Sequence, residues 1–151
     1  MRKIILCLTL LFVCAFSNFS KAQEKGKLLL VWGGDIYKTG RPEGVFKRFQ
    51  LGFEGNYFVT NALALGLGGE IYTQKGNTVS YLAPSVRLYP IGGLFLRTRP
   101  MLPLNNQGFE LDLGAGYDFK FSDTWALEFV GDYYPVKQNA LALRLGIAGF
   151  F

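Results

Sequence analysis

The chain has 151 residues, a formal charge of +5, 19 glycines, 16 % aromatics and no histidine. That is one domain's worth of chain, and the missing histidine removes the commonest general base and the commonest metal ligand, so no catalytic centre, metal or cofactor is expected. The basic balance is no signal for nucleic acid, because Arg2, Lys3 and Lys21 sit in a segment expected to be removed, which leaves 13 basic residues against 11 acidic ones.

That segment has the three parts of a secretory leader. Arg2 and Lys3 form a basic start, Ile4 to Phe16 is uncharged and apolar, and Ser20-Lys21-Ala22 puts small residues at the −3 and −1 positions before Gln23. The apolar run is too short for a spanning helix, which needs roughly 20 residues. A lipid-anchored reading at Cys14 is disfavoured by bulky Val13. Residues 1–22 are therefore expected to be a signal peptide and 23–151 the mature domain. Both cysteines, Cys7 and Cys14, leave with the leader, so the exported chain has no disulfide to support it. No later apolar stretch has the length of a membrane helix, but a closed barrel is the other way to cross a bilayer.

The remaining chain alternates with period two, the mark of strands. The first strand covers Lys27 to Tyr37; its facing is ambiguous because Leu28 to Trp32 is apolar throughout, and Gly33-Gly34-Asp35 reads as a bend. In Phe49 to Tyr57, Leu51, Phe53 and Tyr57 oppose Gln50, Gly52, Glu54 and Asn56. In Leu63 to Ile71, Leu63, Leu65, Leu67 and Ile71 oppose Ala64, Gly66, Gly68 and Glu70. Thr78 to Tyr89 sets Leu82, Pro84, Val86 and Leu88 against Tyr81, Ser85 and Arg87, with a bulge expected at Pro84. Leu94 to Met101 sets Leu94 and Leu96 against Phe95, Arg97 and Arg99, and Pro100 and Pro103 are expected to end it early. Phe109 to Phe119 opposes Leu111, Leu113 and Tyr117 to Glu110, Asp112 and Asp118. Trp125, Leu127, Phe129 and Tyr133 oppose Ala126, Glu128 and Asp132. Leu141 to Phe151 closes the chain, with Arg144 on its small-residue face.

Eight strands joined by alternately short and longer connections, with Gly55 to Tyr72 echoed by Gly116 to Tyr134, imply an up-and-down meander. One face is large and apolar, with Tyr57, Phe109, Trp125 and Tyr133 near strand ends; the other is glycine, alanine and charge. A soluble barrel would fill its core with the bulky face. Here the crowded, charged face suits the interior and the apolar face suits lipid, with interfacial aromatics. Strands of roughly 9 to 12 residues suit a tilted crossing. The fold expected is all-β: an eight-stranded antiparallel up-and-down transmembrane β-barrel.

Interior charges need partners. Arg48, Arg87, Arg97, Arg99, Lys120 and Arg144 are placed inward against Glu54, Glu70, Glu110, Asp112, Asp118, Glu128 and Asp132. A turn about Lys137 sets Arg144 opposite Val130, diagonal to Glu128 and Asp132. A lumenal ion-pair network of Glu54, Arg87, Arg97, Glu128, Asp132 and Arg144 is expected, with Arg144 near its centre.

Four segments carry a family likeness: "YFVTNALALGLGGEIY" (57–72), "FSDTWALEF" (121–129), "PSVRLYP" (84–90) and "LALRLGIAGFF" (141–151). With them the chain resembles small outer-membrane β-barrel proteins related to the OmpA transmembrane domain, the OmpW type and the opacity-type porins. The Ala22-Gln23 junction is similar to that of exported Bacteroidota proteins. The resemblance implies a Gram-negative cell outer membrane, contact with its lipid and lipopolysaccharide, and Phe151 as a signal to the barrel assembly machinery. The connections taken as extracellular are shorter than in many such proteins, which speaks against adhesion.

Catalysis finds little support. Barrel hydrolases and acyltransferases use Ser/His or Asp/His designs, and this chain lacks histidine. Glu110 and Asp112 share a face and could do acid–base work, but pairing with lumenal arginines is the simpler expectation. Arg97-Thr98-Arg99 could grip lipopolysaccharide phosphates or pair inside. The function expected is a non-enzymatic structural or partner-binding barrel; the alternatives are a narrow channel for small or hydrophobic solutes and a soluble periplasmic ligand-binding barrel.

Overall fold

The computed structural model describes residues 23–39, 50–74, 77–105 and 108–151. The leader expected over residues 1–22 and the inward Arg48 lie outside the described residues. The alternating stretches form eight strands: β1 (Leu28–Lys38), β2 (Gln50–Phe58), β3 (Leu63–Gln74), β4 (Asn77–Ile91), β5 (Leu94–Pro103), β6 (Glu110–Lys120), β7 (Trp125–Tyr134) and β8 (Ala140–Phe150). Each pairs antiparallel with its sequence neighbour, and β8 returns to β1, so the sheet closes and has no edge to protect. No helix occurs among the described residues.

The two echoing hairpins fold alike because each places a hydroxyl at the same point of its turn. Thr60 Oγ1 accepts the N–H of Leu63 at 2.9 Å, and Ser122 Oγ accepts that of Trp125 at 2.9 Å. In both turns two successive N–H groups converge on one carbonyl, Val59 and Thr60 on Leu63, and Phe121 and Ser122 on Trp125. These side-chain bonds to the backbone hold a tight turn without glycine. Both turns, Gly92-Gly93, Gln23 and Phe151 lie at one end of the barrel, called lower here.

The chain termini close the wall at that end: Leu28 and Phe151 exchange both backbone bonds at 2.8 Å. The Phe151 ring stands edge-on to Trp125, centroids 5.8 Å apart.

The strands turn their apolar face out. Trp32, Leu51, Phe53, Leu65, Leu67, Ile71, Phe119, Leu143 and Ile147 are exposed, while Glu54, Glu70, Arg87, Arg99, Asp112 and Glu128 are buried inside. Tyr57, Phe109, Trp125 and Tyr133 are on the outer surface near strand ends. Small residues on the inner face are a matter of room. A Cβ on Gly52 would run into the Glu70 carboxylate, and one on Gly114 into that of Asp132.

Three local expectations are corrected. Gly33 and Gly34 continue β1, and the irregularity falls just after them, between Asp35 and Tyr37. Asp35 is inward by the alternation of Val31 and Gly33, and the shift after it leaves Ile36 and Tyr37 both outside and turns Lys38 inward toward Asp35. The second irregularity lies between Leu88 and Ile91 rather than at Pro84, where β3–β4 pairing is continuous. β5 runs through Pro100 to Pro103, since Pro100 and Pro103 still pair with β6 and β4 respectively.

Candidate functional site

The interior has three tiers. The lower tier is aromatic. Phe58, Tyr89, Phe95 and Phe150 come from β2, β4, β5 and β8, joined by Leu29 and the small Ala64, Ala126 and Ala148. Tyr89 lies 5.4 Å from both Phe58 and Phe95, and Phe58 6.5 Å from Phe150, between ring centroids. The rings fall inward because they continue the same alternation that brings in the charges.

The middle tier is ionic. Arg87 places Nε 2.7 Å from Glu54 and also grips Glu128. Arg97 donates from Nη2 to both oxygens of Asp132 at 2.7 and 2.8 Å, with Glu54, Asp112 and Glu128 within 3.9 Å. Arg99 grips Asp112 and reaches Glu70 at 2.5 Å and Glu54 at 3.4 Å. Arg144 forks onto Glu70 at 2.5 and 2.6 Å, touches Asp35 at 3.2 Å and lies 3.8 Å from Asp132. Two-pronged arginine–carboxylate pairs of this kind are the strongest and most directional ion pairs. Multiple pairing offsets the cost of removing each charge from water. Asn56 donates to Glu54 at 2.8 Å and accepts from Ser85 at 2.8 Å, which orients the carboxylate shared by three arginines.

The upper tier mixes rings and polar groups: Tyr72, Val79, Tyr81, Met101, Tyr134 and Ala142. Lys38 sits 3.8 Å above the Tyr134 ring and bonds Gln50 at 2.9 Å. Gln50 in turn donates to Glu70 at 3.1 Å. This tier therefore ties the aromatic cap to the ion network.

Glu54, Arg87, Arg97, Glu128, Asp132 and Arg144 thus come together in one layer. Two details differ from the sequence expectation. Arg144 is opposite Val130, yet its main partner is Glu70, across the lumen, and Glu128 is taken by Arg87. The centre is shared by Glu54 and Glu70, not held by Arg144. Glu110 meets none of the described lumenal arginines; its carboxylate accepts the N–H groups of Val136, Lys137 and Gln138 at 2.8 to 3.3 Å and pins the β7–β8 turn. Asp118 accepts from the Tyr89 hydroxyl at 3.0 Å. Lys120 lies at the lower mouth, bonding Gln23 at 3.0 Å with its ammonium 4.5 Å from the Phe150 ring. Asp35, Lys38 and Gln50 were missed as network members. Asp35 follows Val31 and Gly33 in the inward alternation, a usable signal; Lys38 lies beyond the bulge and has none.

Chemically, the layer is a set of charges already committed to one another. Asp112 and Glu110, the candidate acid–base pair, are held by different partners, a guanidinium and a turn backbone. Arg97 and Arg99 are buried in the layer and not on a rim.

Solved structures share this architecture. A transmembrane β-barrel designed de novo aligns with TM-score 0.59 at 18 % identity, covering 85 % of this chain and 98 % of that one. The N-terminal β-barrel domain of Pseudomonas aeruginosa OprF aligns with TM-score 0.57 at 17 % identity, covering 85 % of this chain and 100 % of that domain. No family model and no curated protein matches the sequence. The likeness is one of fold: a closed, antiparallel barrel of the transmembrane kind.

Proposed function

We propose that this chain is an integral outer-membrane protein of a Gram-negative cell, exported with residues 1–22 as a cleaved leader, whose role is structural or partner-binding and not catalytic. Within the barrels it resembles, the OmpA-like kind fits best. The observation that carries the reading is the inverted wall, apolar outside and ionic inside, closed by aromatic tiers at both ends. An apolar exterior with interfacial aromatics suits hydrocarbon, and an interior filled by side chains is what eight strands allow. The lipid and lipopolysaccharide of the outer membrane are its surroundings, and the barrel assembly machinery reads Phe151, which in the finished barrel is paired with Leu28 across the closing seam.

Planar-bilayer recording of the refolded chain tests the closed lumen. Silence, or no more than rare steps, is expected. A steady ohmic conductance would overturn the closed reading and make the protein a narrow channel.

A further inference from the structure

Seven of the eight described seams run without a gap through the middle of the wall; β4–β5 does not. Its ladder stops at Leu82–Leu102 and resumes at Val86–Thr98 in the same register. The bond from Leu104 N to Ser80 O, 2.8 Å, sets the parity: even-numbered residues of these strands face each other as the pairs that exchange N–H and C=O. Pro84 and Pro100 fall opposite each other at such a position. Neither has an N–H, so both bonds of the pair are lost. The intervening Ala83–Met101 and Ser85–Arg99 positions are those that exchange no bonds, so they cannot compensate. Three successive residue pairs lack a backbone hydrogen bond, so the bonded pairs on either side stand four steps, about 14 Å, apart at strand rise.

The gap is well placed to matter. Pro84 is the middle residue of β4. Toward β3 it costs nothing, because there the bonded positions are the odd ones, as the 2.7 Å bond from Tyr89 N to Ala62 O shows. The carbonyls of Pro84 and Pro100 face pyrrolidine rings instead of donors, at a depth where lipid supplies none. On the lumen side stand only the small Ala83 and Ser85 from β4. Within the gap the side-chain ties run elsewhere, Ser85 to Asn56 on β2 and Arg99 to Asp112 on β6 and Glu70 on β3; the ties between β4 and β5 lie below it, where Arg87 stands 4.8 Å from the Phe95 ring and shares Glu54 with Arg97 and Arg99.

We infer that the Pro84–Pro100 stretch is a lateral gate: β4 and β5 part there first, opening the lumen sideways toward the membrane while both ends stay capped. This goes beyond the axially closed barrel proposed above and does not depend on the absence of conductance. The opening would expose Arg99 and Ser85 to the outer apolar surface.

Amide hydrogen exchange of the folded chain in lipid nanodiscs tests it. The amides of Leu82, Val86, Thr98 and Leu102, which border the gap, should exchange at least about tenfold faster than those of Gly66, Gly68, Ala83 and Ser85 in the intact β3–β4 seam at the same depth. The double variant Pro84→Val, Pro100→Val restores both donors and should bring the bordering amides to the β3–β4 rate. Equal protection of the two seams in the unaltered chain overturns the gate. So does fast exchange that persists in the double variant.

Discussion

Val31 and Trp32 are neighbours on one strand, yet Val31 is 4 % exposed and Trp32 52 %. The contrast repeats along β3, where Leu65, Leu67 and Ile71 face out and Gly66, Gly68 and Glu70 face in. In water the larger apolar group would take the inside. Here the inside holds small residues and charges, and the bulk faces out. The two faces are therefore held by different forces. The inner face is held by directed bonds among groups that have nowhere else to go. The outer face makes no demand beyond being as apolar as its surroundings.

Substitutions on each face should separate these forces. The largest effect belongs inside. Arg144→Ala removes the fork on Glu70 and the contact with Asp35, leaving buried carboxylates short of a partner. A loss of about 3–5 kcal/mol is expected from the urea midpoint in lipid vesicles. An unchanged midpoint would show that the network does not hold the barrel. On the outer face, mid-wall Leu67 gives a pair of results. Leu67→Arg should cost about 2–4 kcal/mol, because the charge must enter hydrocarbon. Leu67→Ala should cost less than about 1 kcal/mol, because lipid tails replace leucine contacts. A large loss for Leu67→Ala with little for Leu67→Arg would mean the outer face is packed on protein or wetted.

Much of this contrast can be read from residue order. Period two needs only the side chains themselves, so seven strands and their facing follow from alternation, while β1 is legible only as an apolar run. The position of Arg144 opposite Val130 follows from a local hairpin, and so is legible. Its union with Glu70 is not, because those residues meet only when β8 has closed on β1 and the strands have tilted. The shift at Asp35 is hidden for a similar reason: Leu28 to Trp32 lacks alternation, and the bulge after Asp35 depends on how β8 lies alongside. Pro84 shows the limit most plainly. A proline in a strand signals a missing donor. Whether that donor matters depends on which neighbour its N–H would have faced, and only the register tells that.

Glu110 gives a second lesson of the same kind. Its alternation places it inward with Asp112, and both look available for arginine. The turn at Val136 to Gln138 curls over the upper rim and offers three N–H groups to it. Backbone donors leave no trace in residue identity, so the partner could not be read.

The most direct test of the inverted wall is export of the full chain followed by membrane separation and electrophoresis with and without boiling. The account predicts an outer-membrane band whose mobility shifts on heating, as a folded barrel resists the detergent until heated. A soluble periplasmic band with no shift would contradict it, and the apolar outer face would then need a different explanation.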